Sequence, residues 1–185
     1  MASILREKYK KEVIPALQEQ FGIANVMAVP KIEKVTINVG LGKDLKDSHY
    51  QEVVEDTLRR ISGQNPVKTK ARKSIAGFKI REGMVVGMKV SLRGKRMWDF
   101  LDKLVNVTFP RVNDFRGIDP KVIDRGGNFS YGFKEHIAFP EINPDEIDSL
   151  HGLEVVISTN ADSKEEGLAL FKSLGFPFKE VKAKK

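Results

Sequence analysis

Lys31-Ile-Glu-Lys-Val-Thr-Ile-Asn-Val-Gly40 alternates along an extended chain: Val35, Ile37 and Val39 fall on one side, Lys34, Thr36 and Asn38 on the other. A strand of this kind has one face for a core and one left over. Met84 to Arg93 repeats the pattern, with Val86, Met88, Val90 and Leu92 opposed to Lys89, Ser91 and Arg93. Outward from these two, further strands are predicted at Val67 to Lys70, Ser130 to Phe139 and Leu153 to Asn160. Ile4, Leu5, Val13, Leu17 and Phe21 recur at helical spacing before Gly22. A second helix is predicted to open at Ser48 with Gln51 as its capping partner, and to bury Val53, Val54, Leu58 and Ile61 before Gly63. A third runs from Lys95 to about Phe109, with Met97, Trp98, Leu101, Leu104 and Val105 inward and Pro110 as its stop. The last begins at Ser163 with Glu166 as capping partner, packs Leu168, Leu170, Phe171 and Leu174, and stops at Gly175.

The order α-β-α-β-β-α-β-β-α, with half-polar strands, predicts an α+β fold: an antiparallel β-sheet with helices packed on one face and a long basic loop between two strands. Residues 1–178 are expected to form a single domain and residues 179–185 a disordered basic tail. No stretch approaches the roughly 20 apolar residues that span a bilayer, so no membrane partner is expected. Met1 to Lys11 holds five charged residues, unlike a secretory leader. The chain has no cysteine, which removes disulfides and thiolate chemistry and fits a reducing cytoplasm.

The net charge of +7 is unevenly spread. Lys68 to Arg96 holds ten Lys and Arg against Glu82 alone, whereas Glu135 to Glu166 holds nine acids against Lys164. This asymmetry fits a polyanion at one region of the molecule; a merely solvated asymmetry has the same composition.

No catalytic constellation emerges. Gly40-Leu-Gly-Lys43 follows a strand, but a phosphate loop needs four residues between its glycine and the Gly-Lys pair, then Ser or Thr. It reads as a strand-ending turn. His49, His136 and His151 are scattered and have no partners at i+4, so they read as surface or packing residues, and no metal or cofactor is implied.

Thr69-Lys-Ala-Arg-Lys-Ser-Ile-Ala-Gly-Phe-Lys-Ile-Arg-Glu-Gly83 is the stronger signal. It lies between two strands and exceeds a tight hairpin, so it is expected to project as a mobile loop. Its cations suit phosphates, and Phe78 or Ile80 suits a ribose or base. A basic hairpin whose apolar residues fold back on the core has the same composition. On the free sheet face, Lys34, Asn38, Ser91 and Arg93 come close if the first and third strands are neighbours, and Lys89 shares their polar register; solvated side chains are the alternative.

Ile61-Ser-Gly-Gln-Asn-Pro66 together with Thr69 to Arg81 resembles the 5S-rRNA-binding ribosomal protein family of the large subunit, the fifth in the bacterial numbering. The likeness extends through Val35 to Gly40, Leu92-Arg-Gly-Lys-Arg-Met-Trp98, Phe109-Pro-Arg-Val-Asn-Asp-Phe-Arg-Gly117, Phe139-Pro-Glu-Ile142 and Phe176-Pro-Phe178, in order and in register, from about Leu5 to Phe178. It implies a non-enzymatic protein of the cytoplasmic ribosome that anchors 5S rRNA in the central protuberance. By that likeness Lys34, Asn38, Gln64, Pro66 and Ser91 lie on the 5S rRNA surface, with Lys89 and Arg93 added from the polar register. Ser91 stands where the family often carries threonine, so the hydroxyl survives and the methyl is lost. The loop with Arg72, Lys73, Ser74, Gly77, Phe78, Lys79 and Arg81 resembles the one that reaches P-site tRNA. The irregular Arg111 to Asn128 excursion, with Arg111, Asp114 and Arg116, resembles the side that bridges to a small-subunit head protein, the thirteenth. Large-subunit rRNA is a further implied partner, no cofactor is implied, and no homo-oligomer is expected.

Overall fold

The computed structural model describes residues 3–42, 45, 47–143 and 149–179. Lys43 of the strand-ending turn and residues 180–185 of the tail lie outside them. Five strands form one antiparallel sheet in the order β2-β3-β1-β5-β4: β1 (Ile32–Gly40), β2 (Val67–Lys70), β3 (Val85–Leu92), β4 (Phe129–Phe133) and β5 (Leu153–Thr159). With helices packed around it, the fold is α+β, as the alternating segments predict. The chain divides into two compact units: residues 1–35, 93–131 and 156–185, and residues 36–92 and 132–155.

The first unit is helical and aromatic. Helix α1 (Ile4–Lys8) passes through a π turn (Tyr9–Val13) into α2 (Ile14–Phe21), and α4 (Gly94–Lys103) passes through a second π turn (Leu104–Thr108) into α5 (Phe109–Arg111). Each π turn sits just ahead of a proline, Pro15 or Pro110. Proline has no N–H and crowds the carbonyl four residues back, here Lys11 or Asn106. The backbone widens there: the Ile14 N–H donates to Tyr9 O and the Phe109 N–H to Leu104 O, both five residues back. Pro110 therefore does not stop the helix, which continues to Arg111. Helix α6 (Lys164–Leu174) begins at Ser163, whose Oγ accepts from the Glu166 N–H at 3.3 Å. The core of this unit is a cluster of six rings. Phe109 stacks on Phe115 at 5.6 Å and meets Tyr131 edge-on at 5.4 Å, while Phe129, Phe171 and Phe176 lie 5.0–5.3 Å from one another.

The second unit packs α3 (Ser48–Ser62) on β3. Its core includes Ile37, Val39, Val54, Leu58, Ile61, Met88, Val90 and Leu92. The helix start differs from the predicted Ser48–Gln51 box. Asp47 is the cap, its carboxylate accepting from the His49 N–H at 2.9 Å, and Gln51 donates to Leu45 O at 3.0 Å. A carboxylate there also suits the positive end of the helix. Gly63, at φ +64, closes the helix in the left-handed conformation that glycine adopts without strain.

The predicted strand from Ser130 to Phe139 ends at Phe133. A 3-10 turn, His136–Ala138, follows and buries His136. Continued alternation would turn Glu135 toward the apolar side, and the chain leaves the sheet before that happens.

Candidate nucleic-acid interface

In the second unit the pairing of β2 with β3 sorts the side chains between two faces. Val67 opposes Lys89 and Thr69 opposes Gly87, so these four share one side, and Lys68 faces the other with Met88. Lys68 accordingly reaches α3, its Nζ 2.9 Å from Glu55. The cationic run is thus split: Lys68 is tied to the helix, while Lys89 projects into solvent. The floor between them is bare backbone at Gly87, where a Cβ would stand 2.8 Å from Val39 O and 3.1 Å from Thr69 Oγ1. Val67 stays 61% exposed on this face, an apolar side chain that the protein itself leaves uncovered.

Three of the predicted residues converge here. The Ser62 hydroxyl donates to Leu58 O at 2.6 Å and accepts from the Gln64 N–H at 3.2 Å, which shapes the turn after α3. That turn aims Gln64 at β3, where its Nε2–H donates to Ser91 O at 3.4 Å, and half-buried Pro66 leads from Gln64 into β2. Asn38 lies half-buried on β1, the sheet neighbour of β3, and no side-chain hydrogen bond engages its amide among the described residues. Ser91 and Lys89 are exposed. Lys34, half-buried on β1, and Arg93, exposed at the start of α4, belong to the first unit.

The basic segment between β2 and β3, expected to project as a loop, carries backbone pairing of its own. The Ala71 N–H donates to Met84 O and the Gly83 N–H to Ala71 O, and Ile75 and Ile80 exchange both backbone bonds, at 2.9 and 3.2 Å. A tight turn through Ala76–Phe78 ends at Lys79, whose φ of 55° is left-handed for a non-glycine residue. Arg72, Lys73, Ser74, Gly77, Phe78, Lys79 and Arg81 are all exposed, and none of the four cations forms a salt bridge among the described residues. Phe78 is 72% exposed and Ile75 is 48% exposed, so these apolar residues do not fold back on the core. Ser74, Ala76, Lys79, Ile80, Arg81 and Met84 line an open concavity of about 690 Å³. Its wall is pinned by the Glu82 N–H donating to Ser74 Oγ at 2.9 Å and the Arg81 N–H donating to Met84 Sδ at 3.2 Å.

Arg111, Asp114 and Arg116 lie exposed in the first unit. The excursion that carries them is irregular, as expected, but it is not purely a surface feature. Ile118 and Ile123 are core residues, and Ile118 pairs with Phe178 while Ile123 pairs with Phe129. Asp114 holds a φ of 55°, which turns the chain between the two arginines. At the far end the Lys179 N–H donates to Ile118 O at 2.9 Å, so the first residue of the predicted tail is part of the fold.

Two of the three scattered histidines meet. The rings of His136 and His151 stack at 4.0 Å and 9°, and both residues are buried in the second unit. Sequence reading missed the pair because fifteen residues separate its members, and only closure of the β4–β5 connection joins them.

Comparison with known proteins points one way. The family model described as ribosomal protein L5 matches residues 25–81, and that of the ribosomal L5P family C-terminus matches residues 85–178. The large ribosomal subunit protein uL5 of Halothermothrix orenii is 51% identical over 178 residues, covering 96% of this chain and 99% of its own. Its counterpart in Streptococcus thermophilus is 53% identical over the same shares, and that of Colwellia psychrerythraea is 51% identical over 95% of this chain and 97% of its own.

Proposed function

The chain belongs to the ribosomal protein L5 family, structural constituents of the large subunit of the cytoplasmic ribosome rather than enzymes, and from that premise we propose that the open sheet face of its second unit holds 5S rRNA. The observation that carries this is the Asn38 amide, unengaged on a sheet face that also presents Gln64, Pro66, Lys89 and Ser91. Amide and hydroxyl groups there bond 2′-hydroxyls and base edges of a folded RNA, and Lys89 neutralises phosphate. Lys34 and Arg93 add cationic contacts to the same RNA. Its anchoring places the protein in the central protuberance, beside large-subunit rRNA.

The exposed hairpin is proposed to reach P-site tRNA through Arg72, Lys73, Ser74, Gly77, Phe78, Lys79 and Arg81. The exposed cations supply phosphate contacts, and Phe78 supplies a ring for a ribose or base. Arg111, Asp114 and Arg116 are proposed to bridge to the small-subunit head, on its thirteenth protein.

Filter binding of isolated 5S rRNA tests the first proposal. Asn38→Ala and Gln64→Ala are each expected to weaken it by about 1 kcal/mol or more, the scale of one lost hydrogen bond. Unchanged affinity in both variants removes the sheet face from the reading. Lys73→Ala with Lys79→Ala is expected to leave 5S rRNA binding intact and to disturb tRNA placement; loss of 5S rRNA instead means the two surfaces are exchanged.

A further inference from the structure

We propose that the concavity in the hairpin between β2 and β3 is a seat for one unstacked nucleotide of a folded RNA, a loop or bulge base turned out of its helix. The proposal rests on the reading of this hairpin as an RNA contact and adds what is held there. Ala76, Ile80 and Met84 give the concavity an apolar lining, and exposed Lys79 and Arg81 complete it. An extruded nucleotide is divided in the same way, into a flat base with an apolar face and an anionic phosphate. The volume of about 690 Å³, open to solvent, leaves space for a base with its ribose.

The seat is built before any ligand arrives. The Ile75–Ile80 backbone exchange and the Ala71 N–H bond to Met84 O, at 2.8 Å, hold its two sides together. The Glu82 N–H bond to Ser74 Oγ and the Arg81 N–H bond to Met84 Sδ fix its wall. Lys79 keeps a left-handed φ of 55°, a conformation that costs a non-glycine residue and that turns the chain at the rim. Ser74 Oγ accepts from Glu82, so its own proton is available to a base edge. Met84 is unbranched and adapts its shape, so the seat selects an extruded base over a particular base identity. Phosphates of a duplex need only exposed cations, and neither the apolar lining nor the bonded wall serves them. A protein side chain fits the same apolar space. Between Ala71 and Met84, however, Arg72, Lys73, Lys79 and Arg81 stand against Glu82 alone, a balance that selects a polyanion.

The test is made on the full chain by NMR of methyl-labelled methionine, alanine and isoleucine. The probes are a single-stranded uridine tetranucleotide, whose bases stack poorly on one another, and a blunt RNA duplex, whose bases are all stacked. The tetranucleotide is expected to shift the methyl signals of Ala76, Ile80 and Met84, and the duplex to leave them in place. Met27, 73% exposed and outside the hairpin, is the control for unspecific apolar contact. Equal shifts with both RNAs, an equal shift at Met27, or none at Met84 overturns the proposal. Ala76→Leu fills the concavity and keeps every cation. It is expected to weaken tetranucleotide affinity about fivefold or more, the scale of one lost base contact, and to leave duplex affinity unchanged. Unchanged tetranucleotide affinity in that variant overturns the seat; should the variant not fold, the comparison of the two RNAs decides alone. The underlying reading fails separately. If Lys73→Ala with Lys79→Ala leaves tRNA placement undisturbed while the tetranucleotide still shifts Met84, the seat stands and serves another RNA. Disturbed placement with a silent Met84 keeps the hairpin on tRNA and removes the seat.

Discussion

The six-ring cluster around Phe109 and the hairpin that carries Phe78 use the same residue type to opposite ends. In the first, each phenylalanine is packed by others, and Phe109, Phe129 and Phe171 are fully buried. In the second, one ring stands 72% exposed among free cations and touches no other ring among the described residues. A chain that can bury so many rings has no need to leave Phe78 in water for its own stability. An aromatic side chain among exposed cations is the composition of a surface awaiting a partner. The contrast separates a segment that carries stability from one whose exposure suits the proposed recognition.

The sharpest way to break that separation is to truncate one ring on each side. Phe171→Ala is expected to cost about 3–5 kcal/mol by urea denaturation, through lost burial and the cavity left among Phe129 and Phe176. Phe78→Ala is expected to change stability by no more than about 0.5 kcal/mol. A large loss on truncating Phe78 would return the hairpin to the folding core.

Acid provides a second lever, because the closely stacked rings of the second unit are imidazoles while the cluster of the first does not titrate in this range. His151 is held down to about 4 from an ordinary value of 6.5, so the native state binds fewer protons than the unfolded chain between those values. Its contribution is complete above pH 6.5 and is lost as pH falls toward 4, by up to about 3 kcal/mol. Denaturant titrations at pH 7 and 4.5 should therefore show a smaller acid loss in His151→Gln than in the wild type.

Finer contrasts separate the two cations of the β2–β3 pair. Lys89→Ala is expected to lower the salt dependence of 5S rRNA affinity by about one phosphate's worth, read from filter binding across salt concentrations. Lys68→Ala removes a half-exposed ion pair with Glu55 and is expected to cost at most about 0.5 kcal/mol in stability, with RNA affinity unchanged. A reversal of these two outcomes would place the RNA on the helix side of the sheet.

Much of this was legible beforehand. Val67–Lys70 is bounded as its β-propensity and flanks predict, and Val35, Ile37 and Val39 are buried as their alternation requires. What escaped depends on pairings distant in sequence. The register that sends Lys68 to Glu55 and Lys89 to solvent is fixed by strand pairing, so a run of cations reads as one patch until β2 is laid against β3. The histidine pair needs a closed connection, and the backbone ladder within the hairpin needs Ile75 and Ile80 to face each other across a four-residue turn. Ile118 and Ile123 read as part of an irregular surface stretch because their backbone partners, Phe178 and Phe129, are not periodic neighbours.

The two prolines retune their helices instead of breaking them. Leu5 and Val13 are eight residues apart, as are Leu101 and Phe109, and all four are buried. In an ordinary α-helix eight residues overshoot two revolutions by about 80°, which would swing the second member of each pair off the first one's side. The wider winding across Tyr9–Val13 and Leu104–Thr108 takes up that excess. Each proline thereby acts as a phase corrector, letting an eight-residue interval keep one angular bearing along the helix.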